Sequence, residues 1–491
     1  MATLRIHQGH QRTELVFHPP AALSELLAQA GFVHSHPCGG RGTCGKCAVM
    51  LSGAVSAPTP AELRCGVRLA CQVTVCGDAS VTLPAEMAFT QIAGGSAATL
   101  TPIAPASGYY GAAIDIGTTT LALLLYDLHS GQCIGASSML NPQTAVAADV
   151  IGRIDSSLRG QAEMLRLQVE KAIQTLLASA CSNVPISAQE VQSLVITGNT
   201  TMLYLLTGQD PTSLSKAPFA ADCLFGMEAA ILGTDAFLPH CLHAFVGADT
   251  TCALLASGML ESDATALLCD VGTNGELALW HRGRLYIAST AAGPAFEGAG
   301  ISCGCGSIPG AIDRVTWADG RLVCHTIFDQ RAVGLCGSGL VDAVAALLDA
   351  DILDETGYLE DEIIRLQDDV RLTQADIRAV QLAKAATHAG IMSLLAAAKC
   401  SPAEVEKVFL AGGFGSHLNL RSAARIGLIP AELADKVQVI GNAALDGAAM
   451  LMLNTRLRSR TAAIRQVTEH VRLDGNPDFV QRYVDAMMFE E

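Results

Sequence analysis

Apolar and polar residues alternate along Met1-Ala-Thr-Leu-Arg-Ile-His7, a period of two that predicts a half-buried strand at the start of the chain. Short strand and turn signals continue to residue 84, interrupted by one helix candidate near Ala21 to Ala30 and then by a loop dense in Cys and Gly. Residues 1–84 therefore read as a small α+β unit. Residues 85–109 are rich in Ala, Thr, Pro, Ser and Gly, the composition of a linker. From Tyr110 onward, apolar strand-like runs alternate with long Ala/Leu-rich helical stretches, which predicts α/β layers over residues 110–460. Residues 461–491 are more charged and end in an amphipathic helix candidate, Phe479 to Phe489, expected to pack on the body.

Two segments within the α/β region repeat a pattern. Ala113-Ile-Asp-Ile-Gly-Thr-Thr-Thr-Leu-Ala-Leu-Leu124 and Leu268-Cys-Asp-Val-Gly-Thr-Asn-Gly-Glu-Leu-Ala-Leu279 each place Asp-x-Gly-Thr between apolar strands, about 155 positions apart. One such motif is weak, since Asp and Gly are common in turns. Two copies after matching strands predict a duplicated domain with a phosphate-binding hairpin in each half. The backbone amides and hydroxyls of Gly117, Thr118, Thr119, Gly272, Thr273 and Asn274 suit phosphate oxygens, and Asp115 and Asp270 suit water bound to Mg2+. A third segment, Phe409-Leu-Ala-Gly412-Gly413-Phe, runs a strand into a glycine turn where a flat nucleoside can lie on the backbone. Ile196 to Met202 and Gly247 to Thr251 read equally as structural turns or as borders of the cleft, in the second case with Asp249 a further magnesium or water contact. Gly334 to Asp342 reads equally as a structural turn or an anion-binding helix start.

Composition narrows the classes. At 491 residues the chain exceeds one ordinary core, and with 50% hydrophobic and 16% charged residues it describes a compact globule. A formal charge of −16 argues against nucleic acid or an anionic membrane as the main partner. No apolar run is long enough to span a bilayer and the N-terminus lacks a signal-peptide pattern, so a cytoplasmic location is expected. Seventeen cysteines is an odd total, and many sit singly in apolar runs, which favours reduced thiols and metal ligands over a disulfide framework.

The Cys/Gly loop carries the most specific chemistry. Cys38, Cys44 and Cys47 stand in the spacing Cys-x5-Cys-x2-Cys, and Cys71 offers a fourth thiolate, with Cys65 and Cys76 as flanking competitors. Four thiolates suffice for a [2Fe-2S] cluster, and the intervening glycines let backbone amides point at sulfur. A structural zinc site is the plainer alternative, although zinc ribbons usually pair two Cys-x2-Cys knuckles. Gly40 to Cys47 mimics a P-loop with Cys47 in place of the Ser/Thr, but no buried strand precedes it. His34 and His36 lack the spacing for Rieske ligation.

The cysteine spacing resembles plant-type and adrenodoxin-like ferredoxins, and the Arg68-Leu-Ala-Cys71-Gln context favours Cys71 as fourth ligand. The two Asp-x-Gly-Thr hairpins and the glycine turn together resemble the superfamily of acetate and sugar kinases, Hsp70 and actin (ASKHA). The fold implied is a ferredoxin-like β-grasp domain followed by a duplicated actin-like ATPase domain. Over nearly the whole chain, Gly293-Pro-Ala-Phe-Glu-Gly, Pro309-Gly-Ala-Ile-Asp-Arg-Val, Cys336-Gly-Ser-Gly-Leu-Val-Asp-Ala and Gln381-Leu-Ala-Lys-Ala-Ala resemble the reductive activators of corrinoid-dependent enzymes. The resemblance implies ATP-dependent return of a cobalt(II) corrinoid, held on a partner of a methyltransferase system, to cobalt(I). It further implies an external donor such as a ferredoxin or flavoprotein, and a homodimer. This chain has only a short linker where some members carry a middle domain. A metabolite kinase with a regulatory cluster, or a redox-sensing nucleotide-binding protein, would use the same residues differently.

Overall fold

A computed structural model describes residues 1–8, 11–30, 47–65, 68–83, 99–182, 184–272, 274–413 and 418–489. The N-terminal unit contains β1 (Ala2–Gln8), β2 (Gln11–Phe17), β3 (Ala21–Ala22), α1 (Leu23–Gln29), β4 (Ala48–Val55), α2 (Pro60–Cys65), β5 (Arg68–Leu69) and β6 (Thr74–Leu83). Its sheet runs β2-β1-β6-β4-β5 with β3 on β6, and the central β1–β6 pair is parallel. The alternation seen in the sequence sends Ala2, Leu4 and Ile6 to one face, where Leu23, Leu26 and Leu27 of α1 cover them. A mixed sheet grasping one helix is the β-grasp arrangement expected.

The first half of the α/β body holds β7 (Tyr110–Ile116), β8 (Thr120–Asp127), β9 (Cys133–Leu140), α3 (Val150–Ser156), α4 (Ala162–Cys181), β10 (Val191–Gly198), α5 (Thr200–Thr207), α6 (Thr212–Ser215), β11 (Met227–Ile231) and β12 (Thr234–Leu238). After α7 (Ala248–Ser257), the second half begins with β13 (Ala266–Val271), β14 (Gly275–His281) and β15 (Arg284–Thr290). A small three-stranded sheet of β16 (Ala311–Ala318), β17 (Arg321–Thr326) and β18 (Gly334–Leu335) follows, then α8 (Gly337–Asp349), the hairpin β19 (Ile363–Gln367) and β20 (Val370–Thr373), and α9 (Gln374–Ala398). The chain closes with β21 (Lys407–Ala411), α10 (Leu420–Arg425), β22 (Val437–Gly441), α11 (Ala443–Leu453), α12 (Arg458–Gln466), β23 (Thr468–His470) and α13 (Pro477–Asp485).

The duplication is visible in the strand orders β11-β12-β10-β7-β8-β9 and β22-β21-β13-β14-β15-β23. In each sheet a three-stranded meander opens the half, and its first strand pairs on the other side with a parallel strand that returns after helices, β10 on β7 and β21 on β13. Strands β7, β8 and β13 are apolar almost throughout because helices cover both faces.

Helices α7 and α11 join the halves. α11 follows the last β21-side strand of the second sheet, yet Leu445, Ala448 and Met452 pack on Ala113, Leu124 and Val195 of the first. α7 contributes Cys252 to that cluster and Ala253 and Leu254 to the core beneath the second sheet. The two helices touch closely at Gly447, where a Cβ would lie 2.0 Å from the Cys252 carbonyl oxygen. Gly447→Ala is therefore expected to destabilise the chain by about 1–3 kcal/mol, the usual cost of overpacking. Thermal unfolding would register this as a lowered Tm, and an unchanged Tm would refute the close crossing.

The C-terminal segment is held on α9. Gln381 Nε2 donates to the Met487 carbonyl at 2.7 Å, and buried Lys384 donates to the Met488 carbonyl while its ammonium lies 4.9 Å from the Phe489 ring centroid. The Gln381-Leu-Ala-Lys-Ala-Ala segment thus has a structural task, clamping the tail.

Candidate functional site

Two sites emerge. In the β-grasp unit, β4 pairs antiparallel with β5 so that Ala48 lies opposite Leu69. The register continues outward: the Ala70 amide donates to the Cys47 carbonyl at 2.8 Å, which brings Cys71 beside Cys47. The two Sγ atoms are 3.2 Å apart, with Cys47 fully buried and Cys71 half-buried. Cys76 points elsewhere; it is exposed on β6 with Sγ directed at the Thr74 carbonyl, 3.8 Å away. A strand, β4, starts immediately after Cys47, where a P-loop requires a helix. Cys38, Cys44, His34 and His36 lie outside the described residues.

Glu62 holds this corner together, and no sequence signal marked it. Its side chain is fully buried, yet it accepts the Thr59 amide at 2.7 Å, the Leu69 amide at 2.9 Å and Arg68 Nε at 3.0 Å. Burial opposes its ionisation, but these donors together keep its pKa below the usual carboxylate value. The Arg68 segment leading to Cys71 is thereby fixed.

The second site lies where the two sheets of the body face each other. Asp115 and Asp270 are the penultimate residues of β7 and β13, each just before its glycine-threonine turn. Asp249, in the first turn of α7, and Glu276, paired with Asp270 across the β13–β14 hairpin, join them. Burial, reinforced by Asp249 and Asp270, pushes the Asp115 pKa up to about 8. Burial, with Asp249 and Glu297 adding repulsion, pushes Asp270 up to about 7. Asp249 rises to about 6, chiefly by burial. Glu276 rises well above its ordinary value for the same reason, with Asp249 and Asp270 next to it. Asn442 at the start of α11 donates to Asp115 Oδ2 at 3.3 Å.

The turns around these acids are tightly built. A Cβ on Gly412, whose φ is +90°, would lie 2.5 Å from Asp270 Oδ1, so the third glycine segment rests directly on the second hairpin's carboxylate. Gly247 could carry no side chain, because its Cβ would lie 2.4 Å from Asn199 Cα, and Asn199 in turn donates to Thr118 Oγ1 at 3.0 Å. Behind the first hairpin sits Arg153, fully buried, donating to the Thr118 carbonyl at 2.5 Å, the Ala147 carbonyl at 3.1 Å and Gln143 Oε1 at 3.3 Å. Burial lowers its pKa to about 10, which leaves a cation behind the first hairpin at neutral pH. Thr119 Oγ1 donates to Glu297 Oε2 at 2.6 Å. Gly413 ends the described part of its turn, and Thr273 lies outside the described residues.

The structure thus gathers Asp115, Asp249, Asp270, Gly117, Thr118, Thr119, Gly272, Asn274 and Gly412 around one cleft, apart from the cysteines. Glu276, Glu297, Asn442, Asn199 and Arg153 are additions. Glu276 and Glu297 were legible as acids inside the quoted segments; Arg153 and Asn442 reach the site only through tertiary packing. Among the described residues no three His, Cys, Asp or Glu side chains stand close enough to ligate one cation. A cation here would keep water and phosphate oxygens as ligands, the habit of Mg2+. A groove of about 650 Å³ runs along α10 and edge strand β22, and none of these acids lines it.

Acids with raised pKa bind protons in the folded chain that the unfolded chain, at 3.8 for Asp, has already lost. Their stabilising contribution is complete at low pH and disappears as pH rises through about 7 and about 8. The Tm of the nucleotide-free chain in EDTA is expected to fall between pH 6.5 and 8.5, and to fall less once Mg2+ and nucleotide are present. The stacked pair His243 and His470, whose pKa values are lowered, titrates below this window. A Tm flat across it would contradict the acidic cluster.

Comparison with known proteins adds identity to this geometry. Residues 264–491 match the family model described as the C-terminal, ASKHA domain of RACo, and residues 6–76 match the 2Fe-2S iron-sulfur cluster binding domain; residues 110–262 match the RACo middle region, so the chain carries a middle region where only a short linker was expected. The chain is 35% identical over 420 residues to the corrinoid activation enzyme RamQ of Eubacterium limosum, covering 77% of this chain and 70% of that protein. It is 24% identical over 423 residues to the [Co(II) methylated amine-specific corrinoid protein] reductase of Methanosarcina barkeri, covering 77% of each. Its structure resembles that of a reductive activator for corrinoid, iron-sulfur protein with a TM-score of 0.72 at 25% identity, over 100% of this chain and 98% of the other.

Proposed function

From the premise that the chain belongs to the family of reductive activators of corrinoid-dependent enzymes, we propose that it uses ATP to drive one electron onto an inactive cobalt(II) corrinoid of a partner protein, restoring cobalt(I). The observation that carries this reading is the pairing, in one chain, of two converging cysteine sulfurs 3.2 Å apart with a buried acidic cleft between twin hairpins.

Cys38, Cys44, Cys47 and Cys71 are the residues to hold the [2Fe-2S] cluster, and Cys47 and Cys71 fit that role in position and burial. The cluster, when bound, supplies one electron near ~−400 mV. Delivery to an acceptor about 120 mV lower is uphill by roughly 2.8 kcal/mol for one electron, a gap that nucleotide-dependent partner binding can offset. In the cleft, the amides of Gly117, Thr118, Thr119, Gly272, Thr273 and Asn274 would take the phosphates of ATP, and Gly412 and Gly413 the nucleoside. Asp115, Asp249 and Asp270 would hold the water shell of Mg2+. Their raised pKa values mean that MgATP binding releases protons, since the cation favours the ionised acids. Arg153 pulls on the Thr118 carbonyl and so sets the orientation of the first hairpin.

The partner is a corrinoid protein of a methyltransferase system, and the electron donor is an external ferredoxin or flavoprotein; a homodimer is compatible with this scheme. The test mixes reconstituted protein, reductant, MgATP and a cobalt(II) corrinoid protein, and follows the cobalt spectrum. Cobalt(I) formed equally fast without ATP would refute the coupling.

A further inference from the structure

We propose that Glu297 is a carboxylate clasp lying across the cleft between the two phosphate hairpins, which an incoming nucleotide phosphate must displace; the proposal rests on the ATP reading above. One oxygen of Glu297 accepts the Thr119 hydroxyl of the first hairpin at 2.6 Å, joining residues 178 positions apart. The other oxygen lies over the second hairpin, 3.1 Å from where a Cβ on Gly272 would stand. A single carboxylate therefore reaches both turns. It occupies the space between backbone elements suited to phosphate oxygens, and it adds to the repulsion that raises Asp270 and Glu276.

The backbone bearing Glu297 is fixed, so the part that withdraws is the side chain. The short turn Pro294–Glu297 is bounded by Gly293 (φ 78°) and Gly298 (φ 77°), while Ala295 and Phe296 anchor it in the core. A phosphate oxygen and a carboxylate compete for the same Thr119 hydroxyl, and two anions cannot share it in a desolvated cleft. Clasp and phosphate are mutually exclusive. In the nucleotide-free chain Glu297 ties the halves together; on nucleotide entry the phosphates take over that bridge and the carboxylate withdraws.

The experiment compares wild-type and Glu297→Gln full-length protein, stripped of nucleotide, for affinity and association rate with a non-hydrolysable ATP analogue and Mg2+. Glutamine keeps the size and can still accept from Thr119 but carries no charge to repel phosphate. Binding is expected to tighten by roughly tenfold, since juxtaposed like charges strongly oppose association, with faster association as well. Glu297→Asp, which draws the charge back by one methylene, should move both quantities the same way by less and covers the case in which the amide variant folds poorly. Unchanged or weaker binding in the variants, with wild-type binding intact, would overturn the clasp and leave the ATP reading standing. Wild-type protein that bound no nucleotide would overturn that reading itself.

Discussion

Cys47→Ala is expected to yield a protein without the visible absorption of a [2Fe-2S] centre and without cobalt(I) formation, while ATP binding persists. Cys47 is fully buried and its sulfur meets Cys71 at 3.2 Å, so one truncation removes one of the four proposed thiolate ligands. Iron-sulfur clusters are held by four such ligands, and three leave one iron open to solvent. The β-grasp core should survive, because the side chain lost is small and the Glu62 clip to Thr59, Leu69 and Arg68 is untouched. The nucleotide cleft is built on other sheets, so titration with ATP should be unchanged. Cys76→Ala, at an exposed position on β6, serves as control and should keep its colour. A coloured, active Cys47→Ala protein would remove Cys47 from the ligand set.

Asp270→Asn is expected to lower ATP-dependent corrinoid reduction by about 10–100-fold, the range for loss of an outer-shell partner of a metal, while raising the Tm of the nucleotide-free chain. The two effects share one cause. Asp270 is half-buried, its pKa is pushed up to about 7, and Asp249 and Glu297 repel its charge, so the ionised form costs stability at neutral pH. Asparagine keeps the shape on which Gly412 rests, where a Cβ would come within 2.5 Å of Oδ1, and removes the charge. Stability gained together with activity lost marks a group retained for chemistry. Steady-state hydrolysis and a thermal melt would decide it. A variant that lost activity by unfolding, or that hydrolysed ATP normally, would refute the role.

Local signals reported the elements: alternation over Ala2 to Ile6 became β1, the candidate near Ala21 to Ala30 became α1 at Leu23–Gln29, and the repeated Asp-x-Gly-Thr segments became matching hairpins in matching sheets. The cysteine string was legible because its thiols are neighbours in sequence, with Cys71 the exception.

What sequence alone determined is the inventory: a small cysteine-bearing α+β unit, a duplicated α/β body, and glycine-bounded acids in both halves. Period and turn chemistry act over a few residues and leave a local trace. What tertiary structure alone decided is which side chains meet. The β4–β5 register set Cys71 beside Cys47, the crossing of α7 and α11 brought Asn442 to Asp115, and sheet-to-sheet packing carried Glu297 to Thr119 across 178 positions. Those contacts depend on burial of shared apolar faces, which fixes relative placement only after the whole core is assembled, so no stretch of sequence records them.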